Sequence, residues 1–493
     1  MTVFRIRING QELEIAAREG SVPTILDAAK QSGIAIPTLC HHPALEPYGS
    51  CRLCTVEVEK NGRKRFVTAC NYPLEEGIVV ETGSEGVLAI RRMILELLAA
   101  RCPGERRIQD LALKYGVTGP RFLLEDESCI LCGLCHRVCS DLVGVSAINA
   151  QNRGVLRDVD TPYGDLSEDC IACGACALVC PTSSARRREN IYPLLASDIS
   201  ELESEFLDGT IDGDLGICRR MFAGRSAIEG QDGGMVTAIL LQGMEAGLLD
   251  AAVVALQDDR YGATAILAEN ADSILEARGT KYVRISVIPP LLDALQKGRK
   301  KVAVVGTPCQ IRVVRCLQRA GYFARRFPDA EIYLLGLFCF ESFDYGRLKS
   351  HIFKLFGLDL DKASKVQIAR GKLLIQAEGQ EHSCRASELH ELVREGCDYC
   401  GDLVSRLADV SIGSVGSPEG FSTVVVRSQR GERLLEGLAF ERQEVRLEDI
   451  LKLAAMKKKN AEANFAPILA GLEGLGGDGL ASGNSAICGR SPE

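Results

Sequence analysis

The polar–apolar pattern of the first eighty residues changes period twice. Val3–Ile8 and Glu12–Ile15 alternate, the period of half-buried strands. Asn9-Gly10 between them supplies the positive φ angles of a tight hairpin turn. Thr24–Ser32 instead places Ile25, Ala28 and Ala29 at helical spacing and stops at Gly33. A loop with Cys40, Cys51 and Cys54 follows, then strand-like Thr55–Glu59 and a second strand leading to Cys70. Residues 87–115 read as one amphipathic helical stretch. From about residue 200 to 470 helical and strand-like segments alternate. Asp250–Leu256 and Lys301–Gly306 are short β-branched apolar runs, as buried strands are. Val236–Ala246 predicts a helix after a glycine pair and Leu291–Lys297 a shorter one. No run approaches the ~18 apolar residues of a membrane span.

These patterns predict a multidomain α+β and α/β chain. Residues 1–80 form a first unit, 81–120 a helical connector, 121–195 a second unit, 196–470 a large mixed α/β domain and 471–493 a flexible Gly/Ser-rich tail. The length of 493 residues suits about three domains of roughly 150 residues. A net charge of −8 argues against wholesale nucleic-acid or anionic-membrane binding, where a basic face is the usual footprint. The 21 cysteines change the picture. Most are bunched in CxxC groups in a long chain whose start lacks the apolar core of a signal peptide, so they read as thiolate ligands in a reducing cytoplasm rather than disulfide staples.

The hairpin, helix, cysteine loop and strands of residues 1–80 resemble a β-grasp ferredoxin. Four thiolates hold a [2Fe–2S] cluster, and Cys40, Cys51, Cys54 and Cys70 supply four. The words IPTLCHHP, GSCRLCTVEV and TAC are similar to the N-terminal [2Fe–2S] domain of the large iron–sulfur subunit of respiratory complex I and of iron-only hydrogenases. Four-cysteine zinc is the alternative. His41 and His42 are expected on the loop surface. The His-plus-three-cysteine site that follows in those relatives is missing here, and Cys102 is expected to be a buried small hydrophobe.

CILCGLCHRVC at 129–139 and CIACGACALVC at 170–180 are an internal repeat. In the bacterial ferredoxin spacing C-x2-C-x2-C-x3-C, three cysteines wrap one [4Fe–4S] cluster and the fourth ligates its neighbour. Cys129, Cys132 and Cys135 therefore go with Cys180, and Cys170, Cys173 and Cys176 with Cys139. Gly133, Gly174 and Ala175 are small enough to let backbone amides approach the sulfurs.

The last third is thinner on spacing alone. Gly233-Gly234 precedes a helix, whose unpaired amides suit a phosphate, but a plain helix start fits equally. Cys218, Cys309, Cys316, Cys339, Cys384, Cys397 and Cys400 leave seven candidates for a third four-cysteine site.

The words CRRMFAGRSAIEGQDGGMVTAILLQGMEAG, ARGTKYV, VAVVGTPCQIRVVRCLQ, LGLFCFESFDYGRLKSHI and REGCDYCGDLVSRLADVSIGSVGSPEGFST, over about 215–430, resemble the family of beta subunits of coenzyme F420 hydrogenases and dehydrogenases. The resemblance implies an FAD-binding domain exchanging a hydride with the deazaflavin coenzyme and single electrons with a [4Fe–4S] cluster. Carried onto this chain, the cluster ligands are Cys309, Cys339, Cys397 and Cys400. The flavin region includes Gln231, Gly233, Gly234, Val236 and Thr237, with Lys281, Thr307 and Pro308 nearby. Cys218, Cys316, Cys384 and Cys488 are left as non-ligands, and no catalytic side chain is singled out.

The expected inventory is one [2Fe–2S] cluster, three [4Fe–4S] clusters and FAD. The expected function is an iron–sulfur flavoprotein oxidoreductase subunit working with a partner such as a formate dehydrogenase, hydrogenase or heterodisulfide-reductase-like protein. Coenzyme F420, NAD(P)H and ferredoxin stay open as the soluble carrier. The alternative is an electron-transfer adaptor that only wires partner subunits. The basic runs Arg186–Arg188 and Lys457–Lys459 read either as docking patches or as solvated faces.

Overall fold

Five strands of the first unit pair in the order Gln11–Ala17, Thr2–Ile8, Val79–Glu81, Thr55–Lys60, Arg63–Thr68. The hairpin turns at Asn9-Gly10, both at positive φ. The first strand runs parallel to Val79–Glu81, which pins the end of the unit to its beginning. Helix Ile25–Gln31 starts where expected because Thr24 and Asp27 form a reciprocal capping box, and it buries Ile25, Leu26, Ala28 and Ala29. The computed structural model describes the chain except residues 1, 18–19, 21, 126, 165, 168, 183, 188–198, 259–261, 284, 364, 370, 378 and 473–493. The Gly/Ser tail from residue 473 on with Cys488, and Arg188 of the first basic run, lie outside the described residues.

The helical stretch expected as one piece over 87–115 is two helices, Glu85–Arg101 and Arg106–Lys114. Pro103 and Gly104 break it: Pro103 has no N–H to continue the ladder. Cys102 is fully buried at the break, and burial pushes its thiol up to about 12.

The large domain is built on an eight-stranded sheet, in the order Thr264–Ala268, Ala251–Leu256, Lys301–Gly306, Glu331–Leu337, Val410–Gly413, Ser422–Val426, Arg220–Arg225, Glu441–Gln443. Ala251–Leu256 through Val410–Gly413 are mutually parallel, and Arg220–Arg225 points the same way because two antiparallel pairings intervene. Helices Met235–Glu245, Ile288–Gln296 and Pro308–Arg319 bury apolar faces against this sheet. A separate antiparallel sheet holds Lys365–Ala369, Lys372–Ala377 and Gln380–Arg385.

The last helix, Leu447–Ala470, has 24 residues and is about 36 Å long at 1.5 Å per residue. Its buried stripe is Ile450, Ala454, Lys457, Ala461, Phe465 and Ile468. It leaves the large domain and packs Phe465 and Ile468 into the core formed around the cysteine repeats. His42 hydrogen-bonds the carbonyl of Ile468 at 3.0 Å. His41 and His42, expected on the surface, are both buried, because this helix covers the loop that carries them. Among the described residues no helix is long and apolar enough to cross a membrane.

Candidate metal centres and flavin site

No described cysteine is in a disulfide. In the first group Cys54 and Cys70 pack in the core of the five-stranded unit and Cys40 and Cys51 against the core of the repeats, with Cys40, Cys54 and Cys70 nearly fully buried and Cys51 half-buried. It forms two close pairs. The backbone amide of Cys51 donates to Cys40 Sγ at 3.3 Å. The hydrogen bond from the Cys40 thiol pushes Cys51 down to about 6, and Cys70 lowers Cys54 in the same way. Arg91 fixes the Cys54 loop by donating to the carbonyls of Leu53, Thr55 and Thr82 at 3.2, 2.9 and 2.8 Å.

The repeats fold into two matching loops. Gly133 and Gly174 both sit at φ 80°, and Leu131 and Ala172 both take left-handed φ, at 53° and 52°. Those last two have a Cβ, so spacing gave no sign of them. The turn aims amides at sulfur: Leu131 N donates to Cys129 Sγ and Ala172 N to Cys170 Sγ, each at 3.4 Å. Cys129, Cys132, Cys135 and Cys180 line one cavity, which is the crossed set expected from the ferredoxin spacing. Cys139 interacts electrostatically with Cys170, Cys173 and Cys176. Burial pushes the Cys135 and Cys170 thiols up to about 12, so metal binding there must expel protons.

The third group forms at the carboxyl ends of the parallel strands, the edge where open α/β sheets bind ligands. Cys309 follows Lys301–Gly306, Cys339 follows Glu331–Leu337, and Cys397 and Cys400 come from the segment before Val410–Gly413. Cys339 interacts with Cys397, Cys309 and Cys400. Cys218, Cys316 and Cys384 stand outside this set; Cys316 and Cys384 are core thiols and Cys218 is half-buried.

Among the described residues no three His, Cys, Asp or Glu side chains gather closely enough to hold one ion. Cys129, Cys132, Cys135 and Cys180 are instead spread around the wall of one cavity, which suits a multi-iron cluster better than tetrahedral zinc with its Zn–S bonds of about 2.3 Å. Orphaned polar atoms support the same fit. Arg312 Nε is buried without a hydrogen-bond partner beside Cys173 and Cys309, and so is Ser286 Oγ beside Cys170 and Cys309. Cluster sulfides are acceptors that such donors lack.

The residues of the expected flavin region have local structural roles as well. Gly233 packs so tightly between strands that a Cβ would lie 2.2 Å from the Gly224 carbonyl oxygen, and its amide donates to Ser422 Oγ at 3.1 Å. Gly234, at φ 65°, caps the helix that carries Val236 and buried Thr237. Gln231 accepts from Thr280 N at 2.8 Å and reaches the Val366 carbonyl. Lys281 Nζ donates to the carbonyls of Ala277, Arg278 and Gly279 at 2.7, 2.8 and 3.0 Å, capping a helix end. Thr307 forms a capping box with Gln310, Pro308 takes the first helical turn, and Thr307 Oγ1 lies 3.3 Å from Cys309 Sγ. These residues and the third cysteine group share one sheet edge, since the loop 226–234 follows Arg220–Arg225 at its carboxyl end.

Lys457 corrects the reading of its basic run. It is buried, and its ammonium donates to the Cys339 and Asp402 carbonyls. Lys458 pairs with Asp214 at 3.2 Å. The sequence carried the signal: Lys457 falls on the buried stripe of its helix at Ile450, Ala454, Ala461 and Phe465 spacing.

Ferredoxin-like units carrying grouped cysteines, joined to a mixed α/β domain with a further cysteine group at its strand ends, define an iron–sulfur oxidoreductase subunit. Two family models, described as coenzyme F420 hydrogenase/dehydrogenase beta subunit N-term and C terminus, match residues 221–293 and 299–452. A 2Fe-2S iron-sulfur cluster binding domain matches 2–85 and a 4Fe-4S dicluster domain 128–184. The coenzyme F420 hydrogenase subunit beta of Methanothermobacter thermautotrophicus is 34% identical over 247 residues, 48% of this chain and 88% of that subunit. One F(420)H(2) dehydrogenase subunit of Methanosarcina mazei is 26% identical over 355 residues, 70% of this chain and 94% of that one. The coenzyme F420-dependent sulfite reductase of Methanocaldococcus jannaschii is 37% identical over 252 residues, 49% of this chain, and this chain spans only 40% of its length. The chain belongs to the family of coenzyme F420 hydrogenase/dehydrogenase beta subunits, with [2Fe–2S] and [4Fe–4S] ferredoxin domains fused in front.

Proposed function

We propose that the chain is the flavin-bearing subunit of an oxidoreductase complex, linking a soluble hydride carrier to one-electron chemistry in a partner subunit. When bound, FAD supplies exchange between hydride and single electrons, and one [2Fe–2S] and three [4Fe–4S] clusters supply one-electron steps. Coenzyme F420 is the proposed carrier, because the family's relatives are named for it. A hydrogenase, formate dehydrogenase or heterodisulfide-reductase-like subunit is the proposed partner.

The observation that carries this reading is the adjacency of the four cysteine groups. Cys309 and Cys400 share a cavity with Cys173. Cys170 and Cys309 line a second cavity, together with Gln310. Cys132, Cys135, Cys173 and Cys176 pack in one core with Cys40 and Cys51. The proposed order is therefore flavin edge, Cys309 group, Cys170 group, Cys129 group, Cys40 group. The chain's own part is to hold thiolates, aim amides at them and keep water out with Tyr399, Phe465 and Ile468.

One observation favours the adaptor reading: Gly233 and Lys281 each have a structural task without any flavin. Anaerobic reconstitution of the whole chain separates the two. The flavoprotein reading expects about one flavin and about 14 irons per chain, and about four irons fewer in the Cys397→Ser Cys400→Ser variant. Full iron with no retained flavin supports the adaptor. Unchanged iron in the double variant refutes the third cluster.

A further inference from the structure

We propose that Lys457 is a positioning residue that fixes a positive charge against Cys309, Cys339, Cys397 and Cys400, and so raises the reduction potential of the cluster held there. The inference rests on the third-cluster reading above.

Lys457 is 5% exposed and sits on the stripe of the last helix where every other buried member is Ile, Ala or Phe. An apolar side chain would fill that place without the desolvation cost of an ammonium. A charge there needs another reason. Both of its described hydrogen bonds go to carbonyls, those of Cys339 and Asp402, the second at 2.9 Å. The first belongs to a proposed ligand, and the second lies two residues beyond another.

The ammonium interacts electrostatically with Cys400, Cys339 and Cys397 and also with Asp402, whose carboxylate accepts from the amides of Val404 and Arg406 at 3.0 and 2.9 Å.

A fixed positive charge in a water-poor site favours the more negative, reduced form of a cluster, which raises its potential. The helix also ties this charge to the first unit, because the carbonyl of Ile468, three turns on, accepts from His42, two residues after Cys40. The family model ends at residue 452, so Lys457 lies outside the matched segment.

Redox titration followed by electron paramagnetic resonance on the anaerobically reconstituted full chain tests the proposal. The signal to follow is the [4Fe–4S] signal that Cys397→Ser Cys400→Ser lacks. Lys457→Met is expected to lower its midpoint by about 59 mV or more, a tenfold change in the reduced-to-oxidised ratio of a one-electron couple, and Lys457→Arg to keep it near wild type. Full iron with an unchanged midpoint in Lys457→Met would overturn the proposal. If Lys457→Met loses iron, Lys457→Arg decides. Iron and midpoint retained in the arginine variant support a role for charge. Loss in both assigns Lys457 to packing and overturns it. If the double cysteine variant keeps every signal, the third-cluster reading has failed and Lys457 has no target; that result is distinct from a lysine that fails to shift an existing signal.

Discussion

At Lys281 burial works against the charge, lowering its pKa to about 8 against an ordinary lysine value of 10.5. The folded state therefore binds fewer protons than the unfolded state between pH 8 and 10.5, so this group's contribution to stability rises with pH across that window. The urea midpoint of wild type minus that of Lys281→Met is expected to rise from pH 8 to 10.5, and a pH-independent difference would contradict the burial. Gly233→Ala would place a methyl group 2.2 Å from the Gly224 oxygen. A loss of about 1–3 kcal/mol is expected in flavin-free protein, measured by urea denaturation. The proposed ligands Cys129 to Cys139 and Cys170 to Cys180 were legible because their spacing is local, whereas Cys309, Cys339, Cys397 and Cys400 come from segments far apart in the chain and were picked from seven candidates only through the family resemblance. Lys281 was not legible, since a lysine after a glycine looks the same whether it meets a phosphate or closes a helix end. Lys457 was hidden in a run of three lysines whose facing only the helix phase decides.

Among the elements, the last helix ties together parts of the chain far apart in sequence. Phe465 is 1% exposed, meets Tyr399 edge-on at 5.2 Å between ring centres, and packs in the core of the cysteine repeats. Phe465→Ala is expected to cost about 3–5 kcal/mol and to speed bleaching of the cluster absorbance in air, because it opens a void beside Cys173 and Cys176. Bleaching at the wild-type rate would show that this packing does not shield the clusters. The period of hydrophobic residues was enough to predict the opening hairpin, the capped helix at Ile25–Gln31 and the strand Lys301–Gly306. It predicted one helix over 87–115 where Pro103 makes two, since apolar period carries no information about a missing amide. The burial of His41 and His42 was illegible because the covering helix comes more than four hundred residues later.

For the whole molecule, the sequence does not say which of the two repeat groups meets which neighbouring group. Their order comes from how the units dock, through the cavity joining Cys173 to Cys309 and Cys400 and the core joining Cys132 and Cys135 to Cys40 and Cys51. The central claim is that this order is a conducting path from the flavin edge to the [2Fe–2S] group. Freeze-quench electron paramagnetic resonance tests it most directly, on full chain mixed anaerobically with reduced coenzyme F420, NADH or NADPH in turn. At least one donor is expected to produce the [2Fe–2S] signal in wild type. Cys397→Ser Cys400→Ser should slow that signal at least about tenfold, while dithionite still produces it in both proteins. Failure of every donor with flavin and iron fully loaded, or equal rates in the two proteins, would contradict the path.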